Sequence, residues 1–228
     1  MIPPVEYNEA NLTESERSMY ELYYSPGAAS FAVHWLLIEM NLPHTLKLVD
    51  LASRAQKSPE YLRLNPDGVV PTLIINGVAR TECAALLLTL ADRYPAAGLA
   101  PASGDDVRAA YYQWTFYCAN SLQPAFRNWF YADQAAGDAA AVKALARTRI
   151  EGCWDRFAAL LADGRRHVLG ERLTAVDFLA TMLMRWSRNM PKPATEWPVL
   201  GRYVQRMRAL PSFKTLQTRE GLTDWANP

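Results

Sequence analysis

The sequence predicts two halves of different class: a small α/β half built on a mixed sheet, then an all-helical bundle. Two observations carry this. Up to Arg93, short aromatic-rich or alternating runs are interleaved with helical stretches, whereas beyond the Pro- and Gly-containing segment 95–104 apolar residues recur only at helical spacing. The chain has 228 residues, half of them apolar and 21% charged, enough for one large domain or two small ones that share an interface.

Each element follows from its residues. Met19–Tyr24 is short, aromatic and partly alternating, which reads as a strand closed by the turn Ser25-Pro26-Gly27. A helix follows over Phe31–Met40, apolar nearly all round and so expected to be buried on more than one side. Thr45–Val49 reads as a second strand. Leu73–Ile75 and Val78–Arg80 flank Asn76-Gly77, the strongest short-range hairpin signal. Glu82–Arg93 is a leucine-rich helix. The order is β-α-β-(short helix)-β-β-α, which makes a small mixed sheet with helices on it. Beyond the linker, Val107, Tyr111, Trp114, Cys118 and Leu122 step by three and four, as do Val142, Leu145, Ile150, Trp154, Phe157 and Leu161 in broad outline, and the pattern returns at Leu200, Val204 and Met207. Thr174-x-x-Asp177 is a capping pattern that starts a further helix. The expected division is an N-terminal extension over 1–18, an α/β domain over 19–94, a linker over 95–104 and a helical domain over 105–228.

Bulk properties narrow the function. Lys plus Arg is 24 against 23 for Asp plus Glu, so nothing points to nucleic acid or an anionic membrane. Cys83, Cys118 and Cys153 form no Cys-x-x-Cys pair, and His34, His44 and His167 stand apart, so neither a disulfide framework nor a metal site is expected. Residues 1–18 carry Glu6, Glu9, Glu14 and Glu16 and lack the basic start and apolar run of a signal peptide. A surface extension on a cytoplasmic protein is the expectation.

Four motifs, in order and at the right gaps, resemble bacterial glutathione transferases. They are Leu22–Ser30, Asn65-Pro66-Asp67-Gly68-Val69-Val70-Pro71-Thr72-Leu73, Thr81-Glu82-Cys83 and Gly170–Asp177. The resemblance runs from about Tyr20 to Leu222. It implies a thioredoxin-like fold for the α/β half, glutathione as co-substrate, a small apolar electrophile as second substrate, a homodimer, and a role in detoxification. It also implies a cis bond before Pro71, which turns the Val70 N–H and C=O outward to pair with an extended peptide. In the family the helix that opens at Glu82-Cys83 receives the γ-glutamyl group; its free N–H groups and positive end suit a carboxylate. Cys83 stands where Ser is usual, which weakens one donor. The glycyl carboxylate is drawn in the family from the loop holding Arg54, Gln56 and Lys57, and Arg54 and Lys57 are the favoured contacts.

The thiol activator is where the sequence departs from its relatives. One bacterial class carries Cys at the position of Ala29, and a His-Lys pair where Gln123-Pro124 stands here. Pro-Gly-Ala-Ala-Ser resembles instead the corresponding stretch of β-etherases, which have serine at the position of Ser30. The expected donors to the glutathione sulfur are therefore Ser30, then Ser25, then Tyr24. The second-substrate pocket is expected between the halves, lined by Tyr117, Asn120, Gln123 and Arg127, with Phe126, Trp129 and Tyr131 nearby. Arg185, Arg188 and Lys192 beside Trp186 and Met190 offer a site for an anionic substrate tail, or serve only to compensate a helix end. The leading expectation is a transferase that activates the glutathione thiol for attack on an apolar electrophile. Glutathione-dependent reductive cleavage of a disulfide or aryl ether is the first alternative, and a non-catalytic binding protein on the same fold is the second.

Overall fold

A computed structural model describes residues 20–135 and 137–225; the expected extension 1–18 lies outside the described residues. Strand β1 (Tyr20–Tyr24) pairs in parallel with β2 (Thr45–Leu48) and antiparallel with β3 (Thr72–Ile75), which pairs antiparallel with β4 (Val78–Arg80). The sheet order is β2-β1-β3-β4, the mixed sheet predicted from the motif order, and Asn76 and Gly77 make the hairpin turn with positive φ of 51° and 76°. Leu22 and Leu73 face each other across β1 and β3, both wholly buried.

Helix α1 (Ser30–Glu39) is buried from Ser30 to Leu37. It packs against α3 (Cys83–Arg93) in its own half, and against α7 (Ala175–Trp186) and α9 (Pro211–Glu220) of the helical half. That double packing is why its sequence is apolar all round. Trp35 shows the seam: its ring stands edge-on to Phe178 at 5.0 Å, and its indole N–H donates to Ser212 at 2.8 Å. Between β2 and β3 lies a short helix α2 (Pro59–Leu62), capped by Ser58, whose hydroxyl accepts from the Tyr61 N–H at 3.2 Å.

The helical half comprises α4 (Val107–Tyr117), α5 (Gln123–Phe130), α6 (Ala139–Leu161), α7, α8 (Pro198–Arg208) and α9. Two features differ from the periodicity. The buried stripe of α6 runs through Ala146, Ile150, Trp154, Phe157 and Leu161, and Leu145 is 53% exposed because it stands one residue off that stripe. Val107, in the first turn of α4, is also exposed. The stretch predicted as one helix from Val107 to Leu122 is interrupted by a π-helical turn over Cys118–Leu122. Pro124 follows two residues later. It has no N–H and in a regular helix its ring would meet the carbonyl four residues back, which the wider turn avoids. Asp177 goes beyond a cap. Its buried carboxylate accepts from the Thr174 N–H and hydroxyl, the Val168 N–H and the Tyr203 hydroxyl at 2.8–3.0 Å. None of the described helices is long and apolar enough to cross a membrane.

Candidate functional site

A cleft of about 540 Å³ opens between the two halves. One wall is made of three loops of the α/β half, and each is fixed by its own chemistry.

The first loop leads into β3. Asn65 is wholly buried; its Nδ2 donates to the Val69 carbonyl at 2.8 Å, and its Oδ1 accepts from the Asp67 N–H at 3.2 Å. The Tyr61 hydroxyl donates to the same Val69 carbonyl at 2.7 Å and accepts from Thr72 at 2.9 Å. Gly68 has φ +59°, and a Cβ there would lie 2.7 Å from the Gln56 carbonyl, so only glycine fits. The Val70–Pro71 peptide bond is cis. The loop thus ties off Val69 and leaves the N–H and C=O of Val70, on the cleft lining, without a partner among the described residues.

The second loop opens α3. Glu82 is exposed, lines the cleft, and holds φ +68° and ψ +104°, a region costly for a residue with a Cβ. It precedes the first N–H groups of α3, on Cys83 and Ala84, which the helix leaves without an internal partner and whose residues line the cleft. The Cys83 thiol is buried, and burial together with the neighbouring Glu82 charge pushes it up to about 12. It stays protonated.

The third loop, Ser25–Ala29, is held from the helical half. Gly27 has φ +68°; its N–H donates to Glu220 Oε2 at 2.8 Å and its carbonyl accepts from the Trp186 indole at 2.9 Å. A Cβ on Gly27 would lie 2.6 Å from Arg185 Nη1. The other oxygen of Glu220 accepts from His34 Nδ1 at 2.8 Å, with both side chains wholly buried.

The opposite wall is made of side chains. Asn120 comes from the π turn, Gln123, Arg127, Phe130 and Tyr131 from α5 and its end, and Trp186 from α7. Phe130 stacks on Phe126 at 5.8 Å and meets Trp186 edge-on at 6.0 Å.

Of the residues expected from sequence, Val70, Pro71, Glu82, Cys83, Asn120, Gln123 and Arg127 come together on this cleft. Others do not. Ser30 is wholly buried, and its hydroxyl is committed to Ser25: it accepts the Ser25 N–H and donates to the Ser25 carbonyl, each at 3.1 Å. It is the internal staple of the turn. Ser25 is itself buried, and Tyr24 lies against His34 with ring centres 5.9 Å apart; neither lines the cleft. Arg54 is exposed with φ +61°, and Lys57 donates to the Asp67 carbonyl at 2.9 Å; both stand off the lining. Gln56, between them, lines the cleft instead, and its buried Oε1 has no partner among the described residues. Tyr117 packs on Phe157, with the Arg156 guanidinium 4.4 Å from its ring centre. At the expected anion site Arg185 and Arg188 both pair with the one carboxylate of Asp224. Lys192 covers the Trp197 ring at 3.9 Å. Gln56 lay in the expected loop but behind Arg54 and Lys57, Trp186 was expected only beside an anion site, and Phe130 was not legible as a site residue, because nothing local marks which face of its segment meets the other half.

Comparison with known proteins bears on the same two halves. Residues 28–93 match the family model "Glutathione S-transferase, N-terminal domain" and residues 120–218 match "Glutathione S-transferase, C-terminal domain". A relative named glutathione S-transferase GST-4.5, from Xanthomonas campestris pv. campestris, is 33% identical over 89% of this chain and 99% of its own. Among solved structures, a glutathione transferase homologue from Sulfitobacter with bound glutathione superposes with a TM-score of 0.82 at 27% identity, covering 90% of this chain and 99% of that one. The ternary complex of BphK, a bacterial GST, gives 0.80 at 30% identity over 89% of this chain and 100% of that one.

Proposed function

The chain belongs to the glutathione S-transferase family, and from that premise we propose that it joins the thiol of glutathione to an apolar electrophile held by the helical wall. It is a glutathione transferase with glutathione as co-substrate. The observation that carries the arrangement is the unpartnered backbone edge of Val70, beside the open N-terminus of α3, inside one cleft.

An extended tripeptide pairs with that edge as an added strand does. Its γ-glutamyl carboxylate meets the N–H groups of Cys83 and Ala84, where the helix end favours an anion. Its ammonium meets Glu82 and Asp67. The free Oε1 of Gln56 accepts an N–H from the backbone of the bound peptide, and Arg54 and Lys57 add positive charge beyond the rim. The sulfur then faces Ala28 and Ala29. A free thiol titrates near ~8.5 and only its anion is a good nucleophile. Because the Ser30 hydroxyl is occupied, the donors that remain on this loop are backbone groups. The Ala29 N–H, at the positive end of α1, has no acceptor among the described residues. We assign thiolate stabilisation to that group and the helix end, ahead of Ser30, Ser25 and Tyr24.

Tyr112 and Phe116, one turn apart on α4, are 39% and 50% exposed, an apolar patch that supports a homodimer formed through α3 and α4. Three unpaired buried cysteines fit a reducing cytoplasm, and conjugation of electrophiles fits detoxification.

The test is mass analysis of the product, coupled to ultraviolet titration of bound glutathione. A thioether product, and a bound thiol that titrates below free glutathione equally in the parent and Ser30→Ala, are expected. Oxidised glutathione as the sole product would replace conjugation by reductive cleavage. A titration that moves in Ser30→Ala would return the sulfur contact to that hydroxyl.

A further inference from the structure

The charges on the cleft are divided between its walls. The acids, Asp67 and Glu82, both stand on the α/β wall. On the helical wall Arg127 is the only Lys or Arg lining the cleft among the described residues. Asn120, from the π turn, and Gln123 and Arg127, one turn apart on α5, all line the cleft. Arg108, Arg147, Arg165 and Arg185 each have a carboxylate partner. Arg127 has none among the described residues; its guanidinium lies 5.4 Å from the centre of the Tyr131 ring. Beside it Phe130 and Tyr131 remain 48% and 45% exposed. An unpaired guanidinium next to uncovered aromatic surface matches a ligand with a flat apolar body and one anionic group. A single planar cation flanked by two amides balances one charge and suits the fork of a carboxylate. Glutathione's own carboxylates are accounted for on the other wall, at the α3 N-terminus and near Gln56. Arg127 instead shares the helical wall with Trp186, whose indole holds the Gly27 carbonyl at the sulfur end.

We propose that the electrophile is an aromatic or similarly flat apolar molecule bearing a carboxylate, and that Arg127 receives that carboxylate. This rests on the conjugation reading above and names the substrate class of the same site.

Two stable conjugates test it without turnover: S-benzylglutathione and S-(4-carboxybenzyl)glutathione, titrated calorimetrically into the full chain and into Arg127→Gln, with glutathione alone alongside. The parent should bind the carboxybenzyl conjugate roughly three- to tenfold more tightly than the benzyl one, the range for a partly exposed charged contact. In Arg127→Gln that ratio should fall to about one or below, while glutathione and S-benzylglutathione bind as before. Equal binding of the two conjugates by the parent overturns the proposal, and so does a preference that survives in Arg127→Gln. A loss of glutathione affinity in the variant also overturns it, by assigning Arg127 to the peptide. Failure of glutathione and both conjugates to bind at all would sink the glutathione reading itself, a result distinct from equal binding.

Discussion

The two walls of the cleft are built on opposite principles. On the α/β wall Asn65, Tyr61 and Ser30 spend their polar groups on neighbouring backbone, so main-chain edges reach the cleft, joined by the side chains of Gln56, Asp67 and Glu82. On the helical wall side chains do the reaching, and several stay exposed, among them Arg127, Phe130 and Tyr131. A backbone edge recognises a peptide without regard to side chains, so it suits the co-substrate common to every turnover. A wall of side chains can be changed one residue at a time without disturbing the fold, so it suits a variable second substrate. The strained φ of Glu82 belongs to the first wall and the exposed aromatics to the second.

The sharpest way to break the first wall is Asn65→Ala. It removes a buried amide that serves both the Val69 carbonyl and the Asp67 N–H, so a stability loss of about 3 kcal/mol is expected, with weakened glutathione binding. Denaturant melts and calorimetry would read both, and a melt unchanged from the parent would contradict this account of the loop.

The seam between the walls responds to acid. Burial lowers His44 from 6.5 to about 4, its Nδ1–H donates to the Leu42 carbonyl at 2.7 Å, and Arg219 donates to Nε2 at 3.3 Å, which requires the neutral ring. The folded-state value lies below the unfolded one, so the unfolded chain takes the proton first. The stabilisation is therefore complete above pH 6.5 and is lost as pH falls towards 4. After a discount for partial exposure it amounts to about 2 kcal/mol. Melts of the parent at neutral pH and near pH 4.5 should differ by about that much more than melts of His44→Gln do. Equal pH dependence in the two proteins would remove His44 as the cause.

A smaller effect separates strain from binding. Glu82→Gly frees a residue held at φ +68°, so the fold should gain about 1 kcal/mol while glutathione binding weakens severalfold through loss of the carboxylate. Opposite signs in the melt and the titration are the expected signature. If both move the same way, the strained geometry is not there to serve the ligand.

The smallest expected change in stability comes from Phe130→Ala. The side chain is 48% exposed, so the melt should shift by less than about 1 kcal/mol and the KM for glutathione should hold, while the KM for an apolar electrophile rises. A rise in the glutathione KM instead would mean that the walls do not divide the substrates as described.

Much of this was legible in the sequence. Alternation, helical spacing and the Asn76-Gly77 turn determined the elements and their order, because each depends on residues close along the chain. The Val70-Pro71 and Glu82-Cys83 motifs marked the α/β wall through their resemblance to the family, which a short motif can carry because loop geometry and a helix start are local. What only tertiary structure decided was which face of each segment meets the other half. The Trp186 indole reaches a carbonyl 159 residues earlier, and Glu220 reaches an N–H 193 residues earlier. No local pattern encodes such pairings. The π turn at Cys118–Leu122 adds a residue that rotates all that follows by about 100°; Asn120, Gln123 and Arg127 line the cleft as expected, whereas Tyr117, ahead of that turn, packs on Phe157 instead. The same limit governed Ser30 and Gln56. Their neighbours fix where the chain turns, but whether a side chain ends in the core or in the cleft is set by packing between distant elements, and packing is a property of the assembled fold.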